Sequence, residues 1–321
     1  MFDCSRANSS RSGLRPCLVL SCALLACGHQ DGLVGVEPLG AAGQSTDGTG
    51  GASAAGFLEE FAADTGAWQA ETVLPGAATS VGLKSPRARD GYLAELRFPG
   101  HREYTSADQV GAKYVTQLAT SERYGFGTYR TRLSFGGCAP GEEAVMAFLG
   151  YFNDGQDHDG DGIVDDLEID VQVTCGTPSR MFFTVFTDDE ATPQGSRFRK
   201  LSHVVDFSNG DVFETPAADS DVYAALANDA TLVRPELVTT DAFYELGFEW
   251  HAASIRFFLA LDGTDRDLWT LSGEERVPQQ PVQLLYNLWH PDTHWYPSDG
   301  AADFPAADVV MRVDWLSYAP E

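Results

Sequence analysis

One stretch of the chain spaces carboxyl groups so that they could do chemistry: Asp166-Leu167-Glu168-Ile169-Asp170-Val171-Gln172-Val173. Alternate side chains of an extended strand share a face, so Glu168, Asp170 and Gln172 point one way. Leu167, Ile169, Val171 and Val173 point the other way, into a core. Carboxyls held this close raise each other's pKa, and on the open face of a buried strand they make a candidate site for nucleophilic attack and proton transfer. The same pattern also suits a solvated strand face.

Immediately upstream, Asp157-His-Asp159-Gly-Asp161-Gly162-Ile163-Val-Asp165-Asp166-Leu-Glu168 has acids at the first, third and fifth places, glycine at the sixth and glutamate at the twelfth. This is the spacing of an EF-hand calcium loop, in which hard oxygen ligands wrap one cation. Strands rather than helices should flank it here, so only the loop chemistry carries over. With Glu168 assigned to the carboxylate site, Asp157, Asp159, Asp161 and Asp165, with the carbonyl of Ile163, are expected to hold a structural Ca²⁺; a solvated acidic turn is the alternative. Further on, Trp289, Trp295 and Tyr296 cluster after an apolar run, and flat rings of this kind suit sugar faces, with plain packing as the alternative. Trp250 and Trp315 are expected in the core. His290 and His294 lie four apart without helical context or a third ligand, so no zinc site is expected.

The elements that would position these groups are short β-rich runs between turn signals: residues 91–98, 112–118, 128–135, 144–152, 167–174, 181–186, 244–250, 254–261, 282–289 and 309–318. Many short strands with intervening turns argue for packed antiparallel sheets. In 128–135 the alternation is clean, with Tyr129, Thr131, Leu133 and Phe135 on one face and Arg130 and Arg132 on the other. Only residues 220–228 have some helical character, and they read as a loop insertion.

Glu168-Ile-Asp170-Val-Gln172 resembles the Glu-x-Asp-x-Glu signature of the family 16 glycoside hydrolases. Thr105-Ser106-Ala107 and residues 124–133 resemble the strand pair that precedes that signature. Residues 244–250, 254–258 and the Asp262-Gly263 turn resemble the segment after it, and residues 281–289 and 313–318 its closing strands. The resemblance covers residues 57–318. It implies an all-β jelly-roll sandwich of two curved antiparallel sheets, concanavalin A-like, with a cleft for a β-linked neutral glucan or galactan. It also implies Glu168 as nucleophile, Asp170 as its electrostatic partner and Trp289, Trp295 and Tyr296 as substrate-binding residues. At the acid/base position the family's glutamate is replaced by Gln172, which neither donates a proton nor deprotonates water. Loss of such a group costs about 10² to 10⁴ in rate. A weakened or rescued hydrolase, a non-hydrolytic glycan binder and a relic cleft all fit this departure; a calcium-braced structural protein of the envelope is the reading without a carbohydrate.

The rest of the chain speaks of export. Arg6, Arg11 and Arg15 precede an apolar run, residues 17–26, that is too short to span a bilayer. It ends in Leu24-Leu25-Ala26-Cys27, which resembles a bacterial lipobox, so residues 1–27 are expected to be a lipoprotein signal peptide with Cys27 lipidated. Residues 28–55, rich in Gly, Ala, Ser and Thr, read as a flexible tether, and residues 56–321 as the sandwich domain. Only Cys138 and Cys175 would remain in the folded part, and in an oxidising envelope they are expected to form a disulfide, with two free thiols as the alternative. The chain has 21 basic and 47 acidic residues; loss of the leader's three arginines and Asp3 leaves a formal charge of −28. Such a field repels phosphate backbones, so no nucleic acid partner is expected and the membrane would be met only through the lipid. The expected product is a monomer of the bacterial cell envelope, anchored in the outer membrane or secreted, with a polysaccharide or oligosaccharide as partner.

Overall fold

The computed structural model describes residues 55–63, 66–72, 76–100, 115–158, 160, 164–187, 199–215, 222–234, 242–291, 293–295 and 300–321. The expected leader, Cys27 and the tether up to residue 54 lie outside the described residues, as do Thr105-Ser106-Ala107, Asp159, Asp161, Ile163 and Tyr296. Among the described residues seventeen strands form two antiparallel sheets, the concanavalin A-like sandwich expected above.

One sheet runs in the order β15 (Thr264–Ser272), β14 (Ser254–Leu261), β13 (Tyr244–His251), β6 (Gly127–Ser134), β17 (Val309–Pro320), β4 (Tyr92–Phe98) and β3 (Ala78–Lys84), with β1 (Phe57–Glu59) also paired to β17. The other runs β12 (Ala224–Asn228), β11 (Asp211–Glu214), β10 (Arg199–Asp206), β9 (Arg180–Thr187), β8 (Leu167–Thr174), β7 (Val145–Phe152), β16 (Val282–Trp289), β5 (Val115–Tyr124) and β2 (Trp68–Thr72). The β14–β15 hairpin turns at Asp262 and Gly263, with φ of 54° and 75°. Successive left-handed residues of this kind match the twist of paired strands.

The core lies between the sheets because each inner face presents large apolar side chains at period two. Ile169, Val171, Phe148, Phe183 and Tyr286 come from one sheet, and Tyr129, Phe248, Trp250, Phe257 and Leu316 from the other. Phe148 meets Phe248 at 5.7 Å and Phe183 meets Phe257 at 5.2 Å, tying the layers together. Trp250 is fully buried, its Nε1 donating to Pro278 O at 3.0 Å, and Trp315 is 7% exposed, so both are inside as expected. On the outer face of the β6 sheet charged side chains pair in rungs: Arg130 with Glu245 and Asp265, Arg132 with Asp314, and Arg256 with Glu249 and Asp267.

Residues 220–228 depart from the expected loop. Their described part contains the strand β12, which pairs with β11; the open edge of β11 offers backbone hydrogen bonds that outweigh the helical preference of an alanine-rich segment. Cys138 and Cys175 form a disulfide that closes 37 residues of chain. A loop of this length is worth roughly 3 to 4 kcal/mol. It fastens the end of β8, because Cys175 follows Thr174 directly.

Candidate functional site

β8 lies inside its sheet, between β7 and β9, and is buried along its whole length. Leu167, Ile169, Val171 and Val173 join the core, so Glu168, Asp170 and Gln172 occupy the other face, as the alternation requires. Strand register extends that face sideways into three rows. Glu168 stands between Tyr151 on β7 and Phe186 on β9; Asp170 stands between Leu149 and Thr184; Gln172 stands between Ala147 and Phe182. The rows continue across β16 through Gln283, Leu285 and Asn287, and across β10 through Lys200, Ser202 and Val204.

This face is not a solvated one. Glu168 is 4% exposed, Asp170 fully buried and Gln172 7% exposed. Burial is the main cause that raises the Glu168 carboxyl well above its ordinary value, followed by the charges of Asp170 and Asp166, while Lys200 pulls it back. Asp170 is pushed up to about 7, again by burial first, with Glu168 and Lys200 opposing. Two buried carboxyls on one strand face, both raised by burial, titrate as a pair rather than one by one. Neither Asp170 oxygen makes a hydrogen bond of regular geometry, not even with Glu168.

Other polar atoms on this face are also buried without a hydrogen bond of regular geometry: both side-chain atoms of Asn287 and Nε1 of Trp289. Each buried donor or acceptor left without a partner costs about 1 to 3 kcal/mol. Several of them around one carboxyl pair mark a surface built to be completed by a polar ligand or by water. Tyr151 is raised by burial and by the charges of Asp166 and Glu168.

Aromatic rings close the Gln172 end. Trp289 packs on Val145, and Trp295 meets Trp289 at 6.1 Å and Phe182 at 5.0 Å. The strap carrying Trp295 is held by His294, whose Nδ1 lies 2.8 Å from the buried Glu143 carboxylate, and by His290, whose Nδ1 lies 2.7 Å from Glu143 O. The two histidines thus position the strap.

The 157–165 loop is described only in part. Asp157 Oδ1 accepts from Gly160 N at 2.6 Å, and the buried Asp165 accepts from His158 N at 3.0 Å through Oδ1. These bonds curl the loop that leads into β8. Among the described residues no three histidine, cysteine or acidic side chains converge on a metal position.

The expected residues therefore meet in two groups, the β8 row and the Trp289–Trp295 pair, on one sheet face. Asn287, Tyr151, Asp166 and Phe182 join them without having been singled out. Asn287 alone carried a signal, as an amide inside the otherwise apolar run Leu284-Leu285-Tyr286-Asn287-Leu288-Trp289.

No family model matches the chain, and no curated protein matches it. Among solved structures it is similar to a Bacillus licheniformis β-glucanase, with 15% identity, 84% of this chain and 100% of the other covered, and a TM-score of 0.48. It is also similar to a prokaryotic β-1,3-1,4-glucanase (lichenase) derived from a mouse hindgut metagenome, with 16% identity, 83% and 99% covered, and a TM-score of 0.47. A third is the κ-carrageenase of Pseudoalteromonas carrageenovora, with 14% identity, 81% and 92% covered, and a TM-score of 0.47. At these values the likeness carries no part of the functional argument.

Proposed function

We propose that this protein holds a β-linked neutral polysaccharide, a glucan or a galactan, on the open face of the β8 sheet and hydrolyses it slowly by retaining chemistry. The reading rests on one observation above all: two buried carboxyls, Glu168 and Asp170, on one strand face, with the buried amide of Asn287 and Nε1 of Trp289 farther along the same sheet face. A sugar ring supplies hydroxyls for such atoms and apolar faces for Trp289 and Trp295, with Tyr296 next in the chain.

In the proposed reaction Glu168, in its ionised form, attacks the anomeric carbon, and Asp170 steers its charge. Retaining enzymes need a second carboxyl about 5 to 5.5 Å away to protonate the leaving oxygen. Gln172 stands where the resemblance puts that group, and an amide has no proton to give. Water or an acid of the ligand-bound state must do so less well, which is why turnover is slow. Charge favours a neutral substrate, since Asp166, Glu168 and Asp170 share this end of the cleft.

A second reading, a non-hydrolytic glycan-binding lipoprotein, is favoured by the amide at 172 together with the burial that raises both carboxyls. Reducing-sugar release from laminarin, lichenan or galactan that disappears in Glu168→Gln supports the hydrolase. Retardation in gels containing these glycans, without release, supports the binder, and neither release nor retardation overturns both. Export, the lipid on Cys27, a monomeric state in the bacterial envelope and a Ca²⁺ bracing the 157–165 loop belong to the same proposal, on the strength of the sequence patterns that suggested them.

A further inference from the structure

Glu143 carries a carboxyl that the proposed reaction leaves unused, and it is 2% exposed, two residues before β7. Its neighbour Glu142 is less buried and ties surface turns together, accepting from Ala139 N and Ala306 N at 3.0 Å each. A carboxyl taken out of water is costly unless it is hydrogen-bonded, and Glu143 gathers bonds from three segments. Gly176 N donates to its Oε1 at 3.3 Å, His294 Nδ1 lies 2.8 Å from its Oε2, and His290 Nδ1 donates to its carbonyl oxygen at 2.7 Å. Its own N donates to Asp303 O at 3.0 Å.

These bonds join two unlike pieces of chain. Behind the carboxyl is the end of β8, where Cys175 N donates to Ala144 O at 2.9 Å and the disulfide ties Cys175 to Cys138. Residue 176 must be glycine for the carboxyl to settle there, since a Cβ would stand 3.0 and 3.1 Å from its two oxygens and 2.5 Å from Glu142 O. In front of it is the strap. His294 N donates to Gly300 O at 3.0 Å, and Thr293 pairs with Ala301, so the strap is backed by the chain that leads to Asp303. Trp295 is next after His294 and is aimed by the same backbone at Trp289 and Phe182.

Resting on the proposed glycan cleft, we propose that Glu143 is the positioning residue of its aromatic end: through His294 it fixes Trp295 against Trp289 and Phe182, and so presents the stacking ring without touching the sugar itself. The disulfide makes the rigid side of this link, and Glu143 carries that rigidity across to the strap.

The test reads Trp295 in two ways. The Trp289–Trp295 pair gives an exciton couplet in circular dichroism, identified as the signal that Trp295→Leu removes, and it needs no ligand. Affinity electrophoresis of the full chain in lichenan and laminarin gels reads the stacking, and loss of one stacked ring corresponds to binding weaker by about three- to tenfold. Glu143→Leu and His294→Leu should each lose the couplet and weaken binding by that factor. His294→Asn, which puts an amide NH₂ near the place of Nδ1, should keep both. Combined with Trp295→Leu, neither leucine variant should weaken binding further, because all act through one ring, whereas a general loosening of the sandwich would add to the loss. A wild type without the couplet, a folded Glu143→Leu or His294→Leu protein that retains it, or full additivity with Trp295→Leu overturns the assignment. If Glu143→Leu does not fold, His294→Leu against His294→Asn decides it. No retardation of the wild type by either glycan overturns the glycan cleft, and the couplet then still judges Glu143 by itself.

Discussion

Placing an acid at position 172 is the sharpest perturbation of the proposed reaction. In Gln172→Glu the new carboxyl would sit where the amide is now, 7% exposed, between Ala147 and Phe182 and two residues from Asp170. Neither cross-strand neighbour is a cation, so burial and the charge of the pair push the new group upward, and it keeps its proton near neutral pH. A general acid needs that state. Supplying one is worth about 10² to 10⁴ in rate, or roughly 3 to 5.5 kcal/mol of barrier. Part of this is forfeited if the new side chain is held off line by Trp295, so the expected gain is set at tenfold or more. Initial rates of reducing-sugar release from lichenan, taken across pH, measure it, and the variant should acquire a descending alkaline limb as the new acid ionises. Thermal melts establish that the fold is intact. An intact variant with an unchanged or lower rate and no new limb would refute the idea that proton donation limits this cleft.

Other outcomes follow from the same side chains. The raised carboxyl pair binds a proton more tightly folded than unfolded, so its contribution is present below the unfolded carboxyl pKa and is lost as pH rises through about 7. Asp170→Asn should therefore stabilise the protein at pH 8, by a shift on the order of 4 kcal/mol, and have no such effect near pH 3; denaturant melts at both pH values check this. His203, stacked on Trp269 at 5.4 Å and lowered to about 4 by burial, has the opposite sign. Its neutral form is the folded form, so stability falls as pH drops from about 6.5 toward 4, and His203→Phe should flatten that acid limb relative to wild type. For the 157–165 loop, EDTA should lower the melting temperature by several degrees, about 1 kcal/mol in a domain of this size, and added Ca²⁺ should restore it; a melt indifferent to both removes calcium from the proposal.

The parts of the fold that could be read in advance are those where one pattern dominated. β8, β14 and β16 have the bounds expected of them because their apolar alternation is uninterrupted. β10, β11 and β15 escaped because charged and polar residues fill them: on β15, Asp265 and Asp267 are matched by Arg130 and Arg256 from neighbouring strands, which one segment alone does not reveal. β12 was obscured by alanine, a helix former that pairing made a strand. At the site, parity alone put Glu168, Asp170 and Gln172 together. Tyr151 became visible only with register, which depends on how far β7 slides along β8, whereas Asn287 showed as an amide inside an apolar run. Asp166, two residues before Glu168 and on the same parity, was assigned to neither the carboxylate site nor the expected Ca²⁺ ligands.

The amide at 172 has a physical logic of its own. Asp166, Glu168 and Asp170 already place three carboxyls along one strand edge, two of them essentially dry, in a chain of large negative charge. Among the described residues Lys200 is the cation that acts on both members of the pair, and it sits in the Glu168 row rather than beside Gln172. A fourth carboxyl would raise the others further and would itself be buried without a counter-charge, a costly arrangement. Gln172 keeps the size of glutamate and its capacity to hydrogen-bond while removing that repulsion, so the floor gains stability by the same change that takes away the proton donor. If the proposed reaction runs at this cleft, stability and turnover pull in opposite directions at this one position.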